Sequence, residues 1–151
     1  MNTLNLFNRL KTIPGGTRLF TLGVCRTARY FSSISPHVEE LRPGYARVSI
    51  RKQPKVTNHL GTVHAIAMCN MAELAGGLMT DVSIPKGARW IPSAMQVQYK
   101  KKATTDLIAQ ARGETIAWNG NGNIEVPVEV TDATGAVVFT ASITMNLKQG
   151  E

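Results

Sequence analysis

One segment of the chain concentrates the residue types that could stabilise an oxyanion and move a proton. It runs Asn58-His59-Leu60-Gly61-Thr62-Val63-His64-Ala65-Ile66 and continues through an apolar stretch to Glu73. A helix starting near His64 leaves the backbone N–H groups of Ala65 and Ile66 without intrahelical acceptors, at the positive end of the helix dipole. Such an end stabilises a developing oxyanion. Asn58 adds a neutral donor and acceptor at the edge of the loop. Glu73 is the one acid between His64 and Met79. A carboxylate on so apolar a helix is costly unless it is hydrogen-bonded or belongs to a site.

The spacing imposes geometry. His64 and Glu73 are nine residues apart. On a helix this puts Glu73 about 180° round and about 13 Å along the axis from His64. Groups so placed cannot serve one small reacting centre within one chain. If they act together, one comes from a second copy, so the spacing points conditionally to a site shared across a two-fold dimer. Plainer roles exist for each residue. Glu73 can be a structural carboxylate capped by a neighbour, Asn58 a turn residue, and His64 a helix-start residue satisfied by backbone.

Other chemistries lose ground. The chain has 151 residues, a single-domain length, and only two cysteines, Cys25 and Cys69, neither in a C-x-x-C pair. Cys69, in the apolar run, reads as a buried free thiol. His37, His59 and His64 show no helical metal-ligand spacing. There is no phosphate-binding loop, dinucleotide fingerprint or nucleophile elbow. No stretch approaches the roughly 20 apolar residues of a membrane span. The formal charge of +7 is unevenly placed. The first 38 residues carry Arg9, Lys11, Arg18, Arg26 and Arg29 and no acid, leaving twelve bases against ten acids elsewhere. Nucleic-acid binding would use such charge, but the aromatic-basic interleaving that stacks bases is missing, so no nucleic-acid partner is expected.

The elements that must position the segment follow from periodicity. Residues 1–33 permit two readings. One is a helical lead-in, with helices over Leu4–Thr12 and Thr17–Ala28 broken at Pro14-Gly15-Gly16; the other is a targeting segment, basic and free of acids. Residues 34–151 form the main domain. His37–Leu41 and Tyr45–Arg51 flank the turn signal Arg42-Pro43-Gly44 and read as a hairpin. His64–Met79 is a helix apolar nearly all round, hence buried, with Gly76-Gly77 weakening its last turn. Four strand candidates follow, over Arg89–Lys101, Asp106–Thr115, Asn123–Thr131 and Ala136–Lys148. The fold class is α+β: one long helix wrapped by a curved antiparallel sheet of about five to six strands. One helix cannot cover both faces of such a sheet, so self-association is expected.

The segment from Asn58 to Glu73 resembles the active-site region of hotdog-fold acyl-CoA thioesterases of the phenylacetate-pathway type. Both spacings match, six residues from Asn58 to His64 and nine from His64 to Glu73. The stretches Glu40-Leu41-Arg42-Pro43-Gly44, Gly61 to Met68 and Ala72 to Gly77, with Pro14-Gly15-Gly16 and Tyr30-Phe31, resemble more closely a bacterial hotdog group of unassigned function.

The resemblance implies an acyl-CoA hydrolase. Glu73 would be the general base or nucleophile, and the Ala65 amide would polarise the thioester carbonyl. Asn58, from the subunit opposite Glu73, would orient water or substrate, and His64 would hold the loop. Gly61 and Ile66 would border the substrate. The glycines that follow the family's His are Ala65 and Ile66 here, which keeps the N–H groups and adds bulk. A family Ser or Thr aligns on Pro92, with Ser93 adjacent. Lys100, Lys101 and Lys102 fall where the family holds the CoA phosphates, with Arg89 and the Arg51-Lys52-Lys55 cluster as further candidates. No metal and no cofactor is expected, CoA being part of the substrate. The partners would be an acyl thioester and a second copy, as a dimer or dimer of dimers. The expected compartment is the cytoplasm, or the mitochondrion if residues 1–31 are a presequence. A non-catalytic acyl- or CoA-binding hotdog protein is the alternative.

Overall fold

The computed structural model describes residues 2–150. Helices α1 (Thr3–Leu10) and α2 (Gly16–Thr27) and a 3-10 segment (Arg29–Ile34) lead into strands β1 (His37–Arg42) and β2 (Tyr45–Ile50). A loop with one 3-10 turn (Pro54–Val56) reaches the long helix α3 (Ala65–Ser83). Strands β3 (Arg89–Tyr99), β4 (Leu107–Arg112), β5 (Gly122–Thr131) and β6 (Val137–Lys148) complete the chain.

Alternation decides which strand face turns inward. Ala46, Val48 and Ile50 of β2, Leu107, Ala109 and Ala111 of β4, and Val126, Val128 and Val130 of β5 are all buried. The strands form one antiparallel six-stranded sheet in the order β1-β2-β4-β5-β6-β3. It curls round α3, whose Met71, Ala72, Leu74, Ala75 and Met79 are buried. This is the hotdog arrangement the resemblance implies.

The helix runs four residues past Met79, through Gly76-Gly77. A Cβ on Gly76 would lie 2.9 Å from Ile143 Cδ1, and one on Gly77 would lie 2.9 Å from the Trp90 ring. The two glycines lower intrinsic helix propensity but let the sheet and Trp90 approach the axis, and packing prevails. Ser83 closes the end: its hydroxyl donates to Met79 O at 2.6 Å and accepts from Gly44 N–H at 2.9 Å. No helix among the described residues is long and apolar enough to cross a membrane.

The lead-in is stitched to this body. Phe7 and Phe20 are buried and meet edge to face at 5.1 Å between ring centroids. The buried Thr21 hydroxyl accepts from Val38 N–H at 3.0 Å, and Thr17 is hydrogen-bonded to His37 Nε2 at 2.9 Å. Asn70 of α3 donates to Ser33 Oγ at 3.0 Å, which holds the 3-10 segment. The α1–α2 corner depends on glycine. Gly15 has φ +74°, and a Cβ on Gly16 would fall 1.7 Å from Leu10 O. Gly16→Ala is therefore expected to cost about 1–3 kcal/mol, lowering Tm by roughly 2–10 °C in a thermal melt.

Candidate active site

The loop before α3 is built by Asn58. Its Oδ1 accepts from Leu60 N–H at 3.0 Å and Thr62 N–H at 3.2 Å, and its Nδ2 donates to Thr62 Oγ1 at 2.9 Å. Gly61, at φ +72°, makes the turn that lets the chain double back. Backbone bonds from Val63 N–H to Ala103 O and from His64 N–H to Val56 O, both 2.8 Å, then fix the entry to the helix.

His64 is the N-cap of α3. Its Nδ1 accepts from Ile66 N–H at 3.0 Å. One of the two first-turn donors foreseen as oxyanion ligands is thus consumed by the cap. The other, Ala65 N–H, has no acceptor among the described residues. It borders a cavity of about 370 Å³ with Asn58, Met68, Tyr99 and the run Lys100-Lys101-Lys102. The sequence-derived candidates Asn58, Ala65 and the three lysines thus converge. The lysines are not equivalent, because Lys101 Nζ lies 3.5 Å from Asp132 Oδ2.

Asp132 is buried at the β5–β6 turn, and its Oδ1 takes the Thr134 hydroxyl at 2.6 Å together with the N–H groups of Thr134 and Ala136. The Thr134 hydroxyl above all holds its carboxyl below the usual aspartate range, with the two N–H groups and Lys101 adding to this against desolvation. A carboxylate so favoured stabilises the fold above its unfolded pKa, and the contribution is lost as pH falls through the folded value. Asp132→Ala is expected to be less stable than wild type at pH 7. The difference should shrink from about pH 4 downward, as read from denaturant melts across the acid range.

Glu73 lies elsewhere. Half-buried on α3, it has no hydrogen bond or ion pair among the described residues. It lines a second cavity, about 490 Å³, between α3 and the lead-in, with Leu6, Phe20, Val24, Phe31, Leu74, Leu78 and Trp90. Neither Asn58 nor Ala65 borders that cavity, and Glu73 does not border theirs. The separation expected from nine residues of helix therefore holds within one chain.

The remaining candidates are dispersed. Ile66 is 54% exposed, and Cys69 is half-exposed with its Sγ 3.8 Å from the Tyr99 hydroxyl. Cys69 is thus not the buried thiol the apolar run implied. Ile66, Cys69 and Glu73 recur at helical spacing on a stripe that their own sheet leaves uncovered. Ser93 sits at a bulge in β3, exposed, and its hydroxyl donates to Thr144 O at 3.3 Å. It borders neither cavity. Arg51 lines a separate polar cavity with Arg18 and His37, and Lys55 donates to Ser32 O at 3.3 Å. Neither converges with the lysine triplet.

Sequence reasoning missed the lead-in's place beside Glu73. The only available signal was Leu6, Phe20, Val24 and Phe31, legible as packing surface and nothing more. Among the described residues no three His, Cys, Asp or Glu side chains gather as a metal centre would require.

Residues 16–147 match the family described as a domain of unknown function, DUF4442. No curated protein matches the chain. A structural-genomics crystal structure, whose name states neither function nor organism, is 46% identical over 98% of this chain and 99% of its own, with a TM-score of 0.88. A Pseudomonas aeruginosa protein of unknown function, named a probable thioesterase, is 22% identical over 82% of this chain and 89% of its own, with a TM-score of 0.75. A thioesterase from Haemophilus influenzae is 10% identical over 84% and 87%, with a TM-score of 0.74. The last two share the fold, a hotdog of the thioesterase type, with this chain. The family match and the 46% identical relative both span most of the sequence, and the chain belongs to the DUF4442 family.

Proposed function

We propose that the protein hydrolyses acyl-CoA or a closely similar acyl thioester, as a homodimer with sites shared between copies. The observation that carries this reading is the unpaired Ala65 amide, at the start of a buried helix and lining one cavity with Asn58, Lys100 and Lys102. That is a neutral oxyanion donor next to cations suited to phosphates. Glu73, also unpaired among the described residues, is the complementary group, and it lies about 12 Å further along the same helix, on another cavity. Pairing between copies would unite the two. Strand β3, eleven residues long, is a sheet edge whose Ile91 and Tyr99 are 63% and 55% exposed. A long edge strand with unpaired backbone groups is a template for a second copy.

In the proposed reaction the thioester carbonyl accepts the Ala65 N–H of one subunit. Glu73 of the other takes a proton from water, whose oxygen attacks the carbonyl carbon. The tetrahedral intermediate collapses, the C–S bond breaks, and the leaving sulfur receives the proton that Glu73 holds. The products are a carboxylic acid and the free thiol. Asn58 orients the water, and His64 keeps the loop in place through its cap. The test is release of free thiol from a panel of acyl-CoA substrates by the wild type and by Glu73 variants.

A second reading is supported by Ile66, whose exposed side chain stands beside the amide where the thioesterase pattern has glycine. In that case the protein binds acyl-CoA without turning it over. Tight binding with no thiol release across the panel would select it.

A further inference from the structure

The groove that Glu73 lines is closed on its outer side by the lead-in, not by the sheet. Its walls are apolar: Leu6 of α1, Phe20 and Val24 of α2, Phe31 of the 3-10 segment, and Leu74 and Leu78 of α3. No basic side chain lines it, although the lead-in carries five bases. Two carboxylates do, Glu73 and Asp81. They are not alike. Asp81 is occupied, accepting the Thr3 hydroxyl at 2.6 Å and Trp90 Nε1–H at 3.3 Å, which ties α1 and the indole across the far end. Glu73 has no partner. The groove therefore has a closed, satisfied end and an end carrying a free carboxylate.

We propose that this groove takes the acyl chain of the thioester, an unbranched aliphatic chain of about nine or ten carbons, and that the lead-in forms its outer wall. The proposal rests on Glu73 being the hydrolytic carboxylate. The occupant follows from the lining. Two acids and no base repel a carboxylate or phosphate, and desolvated aliphatic and aromatic walls favour a hydrocarbon. Continuity with Glu73 places the reacting carbonyl at the open end. The length follows from α3. Glu73 and Asp81 are eight residues apart, about 12 Å along the helix. An extended hydrocarbon built from bonds of about 1.5 Å advances about 1.25 Å per carbon, which gives nine or ten carbons. Midway between Glu73 and Asp81 the Trp90 ring packs on Gly77 and forms part of the wall.

Gly23 supplies the test. It lines the groove on α2, and a Cβ placed on it meets nothing within 4 Å. Gly23→Leu therefore adds bulk at the groove wall, starting from a Cβ position with open space around it, and the change raises helix propensity rather than lowering it. The probes are S-decyl-CoA and S-ethyl-CoA, thioethers that cannot be hydrolysed, titrated calorimetrically against the full chain. Wild type should bind the decyl compound at least about tenfold more tightly than the ethyl compound. Gly23→Leu should reduce that ratio about tenfold or more, with an unchanged or higher Tm. A wild type with no chain-length preference, or a Gly23→Leu variant that keeps the wild-type ratio, overturns the proposal. So does the same tenfold loss for a bulky outward substitution such as Leu22→Trp, on a residue 55% exposed and outside the groove. Chain-length-dependent binding without thiol release from decanoyl-CoA leaves the groove assignment standing and overturns the hydrolytic reading alone.

Discussion

Glu73→Gln is expected to lower kcat for acyl-CoA hydrolysis by about 10²–10⁴-fold, the usual contribution of a positioned general base. Gln keeps the volume and polarity of Glu and removes only the ability to take a proton, so the loss reports chemistry. Stability should move by less than about 0.5 kcal/mol, because the carboxylate holds no hydrogen bond or ion pair among the described residues. Activity and Tm are thus expected to separate, which a structural carboxylate would not allow. If Glu73 were a capped core acid, Gln would destabilise the fold and leave turnover per folded molecule unchanged. Glu73→Asp is a graded control. It keeps the base and retracts it by one methylene, a displacement that costs about 10²-fold where reacting geometry is tight. Wild type and Glu73→Gln releasing thiol equally fast would sink the assignment.

How much of this was legible beforehand depends on the range of the interactions concerned. The hairpin β1–β2 and the alternating strands β4 to β6 are local patterns, since burial of one face forces the period of two, and their predicted bounds lie within a few residues of those observed. The end of α3 is different. Gly76-Gly77 reads as a weak last turn, and only Ile143 and Trp90, far along the chain, explain why glycine is required there. The loop spacing from Asn58 to Glu73 carries the helix geometry, so the separation of the two half-sites could be reasoned from sequence.

What could not be reasoned is which partner each group finds. Ile66 N–H goes to His64, so of the two amides expected to be open only Ala65 keeps its donor free among the described residues. Lys101 goes to Asp132, thirty-one residues on, which splits a triplet that looks uniform in sequence. The lead-in's place over Glu73 depends on Thr3 reaching Asp81 and on Thr21 reaching Val38. No local pattern encodes contacts of that range. The charge asymmetry is accordingly a poor guide. Five bases and no acid in the lead-in leave a targeting segment as one reading of it, yet in the fold its inner face is an apolar wall.

Ala65→Pro isolates the oxyanion donor with little collateral change. Ala65 is the first residue of α3, where proline's fixed φ suits the helix and its missing N–H breaks no intrahelical bond. The preceding His64 has φ −64° and ψ 139°, the extended region that a following proline prefers. The variant should therefore fold with wild-type stability within about 1 kcal/mol. It should lose about 10²–10³-fold in kcat, the cost of deleting one oxyanion donor. The same variant tests whether the site is shared. Glu73→Gln and Ala65→Pro each cripple every site of their own homodimers. If each site takes Glu73 from one copy and the Ala65 amide from the other, a mixed dimer has one site with both lesions and one site with neither. Subunits exchanged at equal ratio should then recover about a quarter of wild-type activity, since half of the dimers are mixed and each has one intact site of two. If Glu73 and Ala65 of one chain served the same site, every site in the mixture would carry one lesion. Activity would then stay at the level of the parent variants, and a dimer with exchanged subunits but no recovery would refute the shared site.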